Sequence, residues 1–529
     1  MNNITANKTG PLSRTPVLGL VSDFCTDLGN ARRLVSRHGA NIRFIAEWGT
    51  WLIWNDAAGR WEIDRDGAVM RLGEETILAM LAHALTLNNQ ADRDQLLKHS
   101  MRSQSEPRLR AMVSLAQSED GVTISADRLD ADPWLLGVQN GVIDLRLGSF
   151  RTPRRDDLIT KCTSVPFDAS ADCPNWNEFL KTVTGNDSEL QAYLQRVAGY
   201  LLTGSVREEV MFMPYGTGRN GKSTFRETLH SLLGTYALAA DATLLIERKV
   251  PGGATEEVAR LKGKRFVAVN ETAENDQLNE ARVKFITSQD MLSARPLYGH
   301  LFDFFPTHKT FLTTNHKPII RGTDEGIWRR VHLIPFTIAI DANSVQKDFR
   351  ERLLLPELSG ILNWALAGLA AYLKEGLNPP KSVLASTQEY REDMDVIGQW
   401  IADRCDLDHH AATPTNLAYG DYTWWANEEV GWSLKKPRFR RHLSDRGFTA
   451  AKGTGGTRMI VGLRLKSTGT PAGSGSGPLG TLDDGSTIYD DGIRPAPGTD
   501  GLSSDSPDLA TGPSDNGRHA HEDSGGSGA

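Results

Sequence analysis

Four short apolar runs stand out in the middle of the chain: VMFMPY (210–215), RFVAVN (265–270), KTFLTTN (309–315) and VHLIPF (331–336). Segments with helical spacing of apolar residues separate them. Short apolar runs of this kind are strand candidates, and their alternation with helices predicts an α/β fold. Just upstream, Leu190, Leu194, Val197 and Leu201 recur at helical spacing and predict a helix over 188–202, with a companion over 175–184.

The flanks follow other periods. Residues 42–64, IRFIAEWGTWLIWNDAAGRWEID, alternate aromatic with polar positions after a helix expected at 26–38, which predicts a small β-meander. Trp48, Trp51, Trp54 and Trp61 read better as its core than as a base-stacking surface. Helices are expected at 74–87 and 106–117, then a hairpin over 134–150 whose turn is Asn140-Gly141. Beyond the central block come a helix at 357–374 and the pair Pro379-Pro380. Helices at 392–404, 414–428 and 437–446 precede the strands FTAAK and TRMIVGLRL, an order that reads as winged-helix-like. The resulting division is a disordered start (1–16), a strand-rich lobe (17–65), a helical adaptor (66–205), an α/β core (206–345), a helical bridge (346–389), a winged-helix-like domain (390–466) and a disordered acidic Gly/Ser/Pro tail (467–529).

Composition narrows the class. With 529 residues, 39% hydrophobic and 24% charged, the chain is an ordinary globular protein of several domains. The start lacks an apolar signal core and no run of 18 apolar residues occurs, so the expectation is a cytoplasmic protein with no membrane partner. Cys25, Cys162, Cys173 and Cys405 are scattered, which argues against a zinc finger or a disulfide scaffold. The net charge of −7 is uneven: residues 467–529 carry ten acids against Arg494 and Arg518, so the first 466 residues sum to +1. Any contact with nucleic acid must therefore come from local basic patches.

GTGRNGKS at 216–223 fits G-x-x-x-x-G-K-[ST] between an apolar strand and a helix carrying Phe225, Leu229, Leu232 and Leu233, the context that a phosphate-binding loop requires. Gly216, Gly218 and Gly221 let the backbone of Thr217, Arg219, Asn220 and Thr224 turn N–H groups onto phosphates at a helix N-terminus. Lys222 would neutralise the β and γ phosphates of ATP and the Ser223 hydroxyl would ligate Mg2+. RFVAVNETAE puts Glu271 at a strand end beside this loop, as the expected base and a second magnesium contact, with Glu274 the next candidate. FLTTNHKP ends another strand in Asn315, a candidate sensor of the γ-phosphate, and fourteen residues on come Arg329 and Arg330, candidates for stabilising transition-state charge on a neighbour's nucleotide.

With NEARVKFITSQDMLSARPLYGHLFDF (279–304) between the second and third of these elements, the series resembles the A, B, B′ and C motifs of superfamily 3 helicases. It is most similar to the phage, plasmid and poxvirus primase-helicase family over residues 60–466, including NGVIDL (140–145) and TNHKPIIRGTDEGIWRR (314–330). The resemblance implies an AAA+-like P-loop core, a homo-oligomeric ring, most simply a hexamer, and translocation on single-stranded or forked DNA. It also implies that Arg329 or Arg330 acts in trans and that 294–300 is the tip of a channel hairpin. There Arg295 and His300 would meet phosphates and Tyr298 a base. Two departures stand out: Asn270 occupies the place of a magnesium-shell aspartate, and the 60 residues before the adaptor are short for a primase, so a separate primase or polymerase is the expected partner.

In the last domain Lys435, Lys436, Arg438, Arg440 and Arg441 crowd into seven positions of one helix, a candidate contact to backbone phosphates. The function expected is an ATP-dependent DNA helicase; the alternative is an initiator that uses ATP to assemble on an origin. Asn270 favours the initiator, and Glu271, Asn315 and the arginine pair favour turnover.

Overall fold

The computed structural model describes residues 25–247, 254–269, 273, 276–295, 299, 301–322, 324–341, 346–453 and 456–466, with three short strands between 480 and 494. The start expected to be disordered, 1–16, lies outside these. The chain divides into two compact units, Met1–Asp395 and Val396–Ala529.

The first unit opens with α1 (Asp27–His38), whose cap Thr26 accepts from Gly29 N–H, and the meander β1 (Ile42–Ile45), β2 (Thr50–Asn55) and β3 (Arg60–Ile63). Helices α2 (Ala68–Ala84), α3 (Gln90–Ser103) and α4 (Glu106–Ala116) follow, and β4 (Thr123–Ile124) joins β1 in parallel to give the order β3-β2-β1-β4. Strand lobe and adaptor helices thus share a core: Ala31, Leu34 and Ile42 pack with Val69, Ile77, Met80 and Met112. Trp61 and Trp54 are buried as expected, while Trp48 is 46% exposed. The sequence pattern does not show α3, because its inward face is polar: His99 Nε2 and Ser103 Oγ meet the Asn30 side chain at 2.9 and 3.0 Å.

Next come β5 (Leu135–Val138), β6 (Gly141–Asp144) and β7 (Ser149–Arg151); the hairpin is present, but Val138 stands opposite Gly141, so the turn is Gln139-Asn140, one residue before the expected Asn140-Gly141, and Gly141 opens the strand. Then α5 (Pro174–Thr184) and α6 (Ser188–Leu202) lead into the α/β core. The core is β8 (Met211–Tyr215), α7 (Lys222–Leu233), β9 (Ala237–Ala240), α8 (Ala254–Ala259), β10 (Phe266–Val269), α9 (Glu280–Thr287), the hairpin β11 (Leu292–Ala294) and β12 (Phe302–Phe304), β13 (Lys309–Leu312), α10 (Glu325–Trp328) and β14 (Val331–Pro335). Five strands form a wholly parallel sheet in the order β14-β8-β13-β10-β9. Successive side chains point to opposite faces. Phe212, Phe266 and Phe311 accordingly pack on one side with Phe225, and Met211, Met213, Val267 and Leu312 on the other with Val283 and Ile286. Strand β9 reads Ala-Leu-Ala-Ala, a helix-favouring composition, and so carries no strand signal of its own.

The stretch expected as a bridge is part of this core. Helix α11 (Leu358–Glu375) lies so close to α6 that a Cβ on Gly368 would stand 1.9 Å from Gln195 O and one on Gly199 2.1 Å from Leu369 N. The segment Arg350–Glu375 is the one described helix long and apolar enough to cross a membrane, and α11 spends its apolar face on α6 instead. Helix α12 (Lys381–Met394) lies along β14, where Thr387 Oγ1 accepts from Leu333 N–H at 3.0 Å.

The second unit runs α13 (Val396–Arg404), β15 (Cys405–Pro414), α14 (Thr415–Glu429), α15 (Lys436–Asp445), β16 (Thr449–Lys452) and β17 (Arg458–Leu465), with an antiparallel sheet ordered β15-β17-β16. The helix expected at 392–404 breaks at Asp395, and β15 was hidden by its polar reading, CDLDHHAATP. Trp400, Tyr422 and Phe439 form its aromatic centre. Within the tail expected to be disordered, β18 (Gly480–Thr481), β19 (Thr487–Tyr489) and β20 (Gly492–Arg494) pair into a small antiparallel sheet. Thr-Ile-Tyr has the β-branched and aromatic make-up that favours local pairing even where overall apolar content is low.

Candidate nucleotide site

The phosphate loop leaves β8 at Tyr215 and enters α7 at Lys222. Two of its glycines are required by what surrounds them. A Cβ at Gly216 would stand 2.1 Å from Phe336 O, and one at Gly221, where φ is +82°, would stand 2.4 Å from Val183 Cγ1 of α5. Gly221 is also the N-cap of α7 and brings no side chain to its first-turn amides, which therefore remain available to an anion. Thr217, Arg219 and Ser223 are exposed and Gly218 and Thr224 half-buried, so the loop has an open outer face.

Lys222 is the buried centre of this loop, 3% exposed. Its ammonium donates to Gly216 O at 2.5 Å, Asn220 Oδ1 at 3.0 Å and Asn315 Oδ1 at 3.0 Å. Asn315, 93 residues further along the chain, arrives there because β13 pairs directly with β8 and Thr314 bridges to Tyr215. The acid-bearing strand β10 lies one place further along the sheet, with β13 between it and β8. Asn270, Glu271 and Glu274 follow Val269 at the C-terminal end of β10 and lie outside the described residues.

The arginines occupy the other end of the sheet. Val331 pairs with Met211 and Pro335 with Tyr215, so Arg329 and Arg330 precede β14 at the end where β8 begins. Five strand residues at ~3.3 Å each put about 17 Å between that end and the start of the loop. Arg330 is buried and donates to Glu209 Oε2 at 2.8 Å, Thr287 Oγ1 at 3.1 Å and Gly326 O at 3.0 Å. Arg329 touches Glu209 at 3.1 Å with its side chain 59% exposed. Sequence reasoning treated the two alike and missed Glu209, which has no motif to mark it.

The hairpin expected between these elements is present: Leu292 pairs with Phe304 and Ala294 with Phe302. Arg295 is exposed and donates to Gly299 O at 2.9 Å; Tyr298 and His300 lie outside the described residues. In the second unit Lys435, Arg438, Arg440 and Arg441 are exposed on or beside α15, whose Phe439 and Leu443 face inward, while the Lys436 ammonium sits 5.6 Å from the Tyr419 ring centre.

Residues 31–185 match the family described as D5 N terminal like, and residues 215–330 match a family of unknown function. "Putative helicase L207/L206" of Acanthamoeba polyphaga mimivirus is 30% identical over 342 residues, 60% of this chain and 36% of that one. "Putative helicase 184R" of Invertebrate iridescent virus 6 is 24% identical over 405 residues, 68% of this chain and 41% of that one. "Putative primase C962R" of African swine fever virus, isolate Warthog, is 26% identical over 330 residues, covering 57% and 34%. The chain thus carries a D5 N-terminal-like segment and is similar to viral putative helicases and primases.

The chain spans about two fifths or less of the length of those relatives. Among solved structures, the apo C-terminal region of NrS-1 aligns over 83% of the chain at 11% identity with a TM-score of 0.45. The residues of this chain fit a nucleotide polyphosphate: uncapped helix amides, a loop two of whose glycines have no room for a side chain, and a buried lysine at the loop's centre. Ser223, exposed on the first turn of α7, is placed to offer its hydroxyl to a magnesium ion; among the described residues no group of three His, Cys, Asp or Glu side chains could hold a metal. Behind the sheet, the half-buried His332 is held to about 4 by desolvation and shares a 2.6 Å hydrogen bond with the Tyr193 hydroxyl, which fixes α6 to β14.

Proposed function

We propose that this chain is the ATP-hydrolysing, DNA-translocating part of a replicative helicase. The observation that carries the reading is the meeting of Lys222 and Asn315 at 3.0 Å, because it joins the phosphate loop and the third motif at the place where a γ-phosphate would be bound and sensed. The parallel order with β13 between β8 and β10 suits an AAA+-like superfamily 3 core. In this reading bound ATP with Mg2+ supplies the bond to be cleaved. Lys222 and the α7 amides hold the phosphates, Ser223 and Glu271 serve the metal shell, and Glu271 receives the proton of the attacking water.

Arg329 is the residue this reading places on a neighbouring copy's nucleotide, since it is exposed and its own loop is a strand length away; Arg330 is held within the chain. The natural assembly is a ring of identical copies, a hexamer by family resemblance. The second unit has the helix, strand, helix, helix, two-strand order of a winged helix, and α15 lays its cations on DNA phosphates. Single-stranded and forked DNA are the substrates. The test is ATPase activity with and without single-stranded DNA, together with fork unwinding, in wild type and Lys222→Ala. Turnover stimulated by DNA and lost by at least ~100-fold in Lys222→Ala supports the reading. ATP binding without turnover in wild type replaces it with an ATP-dependent initiator.

A further inference from the structure

Asn220 sits at position five of the phosphate loop, where the loop pattern accepts any residue, yet it is 4% exposed and both ends of its amide are used. Its Nδ2 donates to Phe336 O at 2.9 Å, and its Oδ1 accepts from Lys222 Nζ at 3.0 Å. The orientation is fixed by chemistry: turning the amide over would set NH2 against an ammonium and an oxygen against a carbonyl. Phe336 is itself pinned, 1% exposed, with its N–H donating to Tyr215 O at 2.8 Å. It is the first residue beyond β14, the strand that begins immediately after Arg329 and Arg330.

β14 is therefore a strut with an arginine pair at one end and the loop lysine, through one amide, at the other. Its length is held in register by five pairs with β8 and, on its other edge, by Thr387 of α12. Arg330 is anchored at the far end by Thr287, Gly326 and Glu209, and Glu209 is shared with exposed Arg329. A packed strand pinned at both ends shifts as a unit rather than deforming locally.

We propose that Asn220 is a positioning residue that sets Lys222 according to the position of β14, so that what the arginine end contacts is reported to the chain's own phosphate loop. The proposal rests on the nucleotide-site reading above. In a ring whose Arg329 meets the next copy's nucleotide, it makes successive sites cooperate: occupancy next door moves β14, and β14 moves the lysine through Asn220.

The experiment measures binding of a fluorescent ADP analogue and the ATP dependence of hydrolysis in wild type, Asn220→Ala, Asn220→Asp, Lys222→Ala and the double variant Asn220→Ala with Lys222→Ala, with melting temperature as the control for folding. Asn220→Asp keeps an acceptor for the lysine and removes the donor to Phe336 O. The expected result is cooperative hydrolysis in wild type, a Hill coefficient reduced to one in both Asn220 variants, and a KM raised about tenfold in Asn220→Ala, the loss of one hydrogen bond to a charged group. In the Lys222→Ala background Asn220→Ala adds nothing, because it acts through the lysine. A wild-type Hill coefficient of one, unchanged cooperativity in Asn220→Asp, or additive effects of the two alanine substitutions overturns the proposal. Should Asn220→Ala fail to fold, the aspartate variant alone decides. Wild type that neither binds nor hydrolyses nucleotide would instead overturn the reading beneath it.

Discussion

The two ends of the parallel sheet hold their cations in opposite ways. At the C-terminal end Lys222 is buried and donates to Gly216, Asn220 and Asn315, with α7's N-terminus opening beside it. At the N-terminal end the cations come as a pair, one buried and one exposed, sharing the carboxylate of Glu209. The first arrangement gathers a buried lysine, two amide side chains and a helix N-terminus around one loop. The second has one arginine serving the fold and one presented outward, and a strand length separates it from that loop. The contrast teaches that, under the proposed function, the phosphate loop and the exposed arginine of one copy stand too far apart to serve the same nucleotide.

The sharpest way to break this contrast is to exchange the arginines' fates. Arg329→Ala is expected to cut ATP hydrolysis by about 10³-fold with a stability change within ~0.5 kcal/mol, because an exposed ion pair contributes little to folding while a transition-state arginine contributes much. Arg330→Ala is expected to destabilise the fold by roughly 3 kcal/mol, since it strips a buried guanidinium from three partners. Paired melting and ATPase measurements read both, and equal losses of stability would show that the two arginines are not divided as the structure divides them.

Smaller in effect is the basic helix of the second unit. Arg438→Ala with Arg440→Ala and Arg441→Ala removes three exposed cations, so the dependence of DNA affinity on salt should flatten by up to about three units of log slope, measured by titration at several salt concentrations, with basal ATPase unchanged. A steep slope that survives would move DNA loading to another surface.

The mildest effect is a pH dependence that belongs to the sheet rather than to the site. Burial holds His332 at about 4 and His308 at about 3, so both are neutral in the folded chain and protonate more readily once unfolded. Their contribution to stability is complete above the ordinary histidine value of ~6.5 and is lost as pH falls toward 4, about 2 kcal/mol each by pH 5. Denaturant melts of His332→Gln should be flatter over that window than those of wild type.

Much of this could be read from the chain before folding, and what could not has physical causes. The loop at 216–223 and the strands at 210–215, 265–270, 309–315 and 331–336 are legible because buried parallel strands are continuously apolar and a phosphate loop fixes its glycines, lysine and hydroxyl residue at set spacings. Helix α3 escaped because its inner face is a polar network around Asn30, and β9 because alanine-rich strands resemble helices. The order of the sheet is not a local property. Hence β13 beside β8, and Asn315 on Lys222, had to be seen in three dimensions. The unlike environments of Arg329 and Arg330 depend on Glu209 and Thr287, from distant parts of the chain, and adjacent identical residues give no hint of it.

The claim that the hydrolytic site is assembled between copies is tested most directly by mixing two disabled chains. Lys222→Ala has an intact Arg329, and Arg329→Ala has an intact phosphate loop; each alone should be inactive. Co-assembled in equal amounts, a random ring contains intact lysine opposite intact arginine at about a quarter of its interfaces, so ATPase activity should return to roughly a quarter of wild type. Full activity of Arg329→Ala on its own, or no recovery on mixing rings shown to contain both chains, would contradict the account.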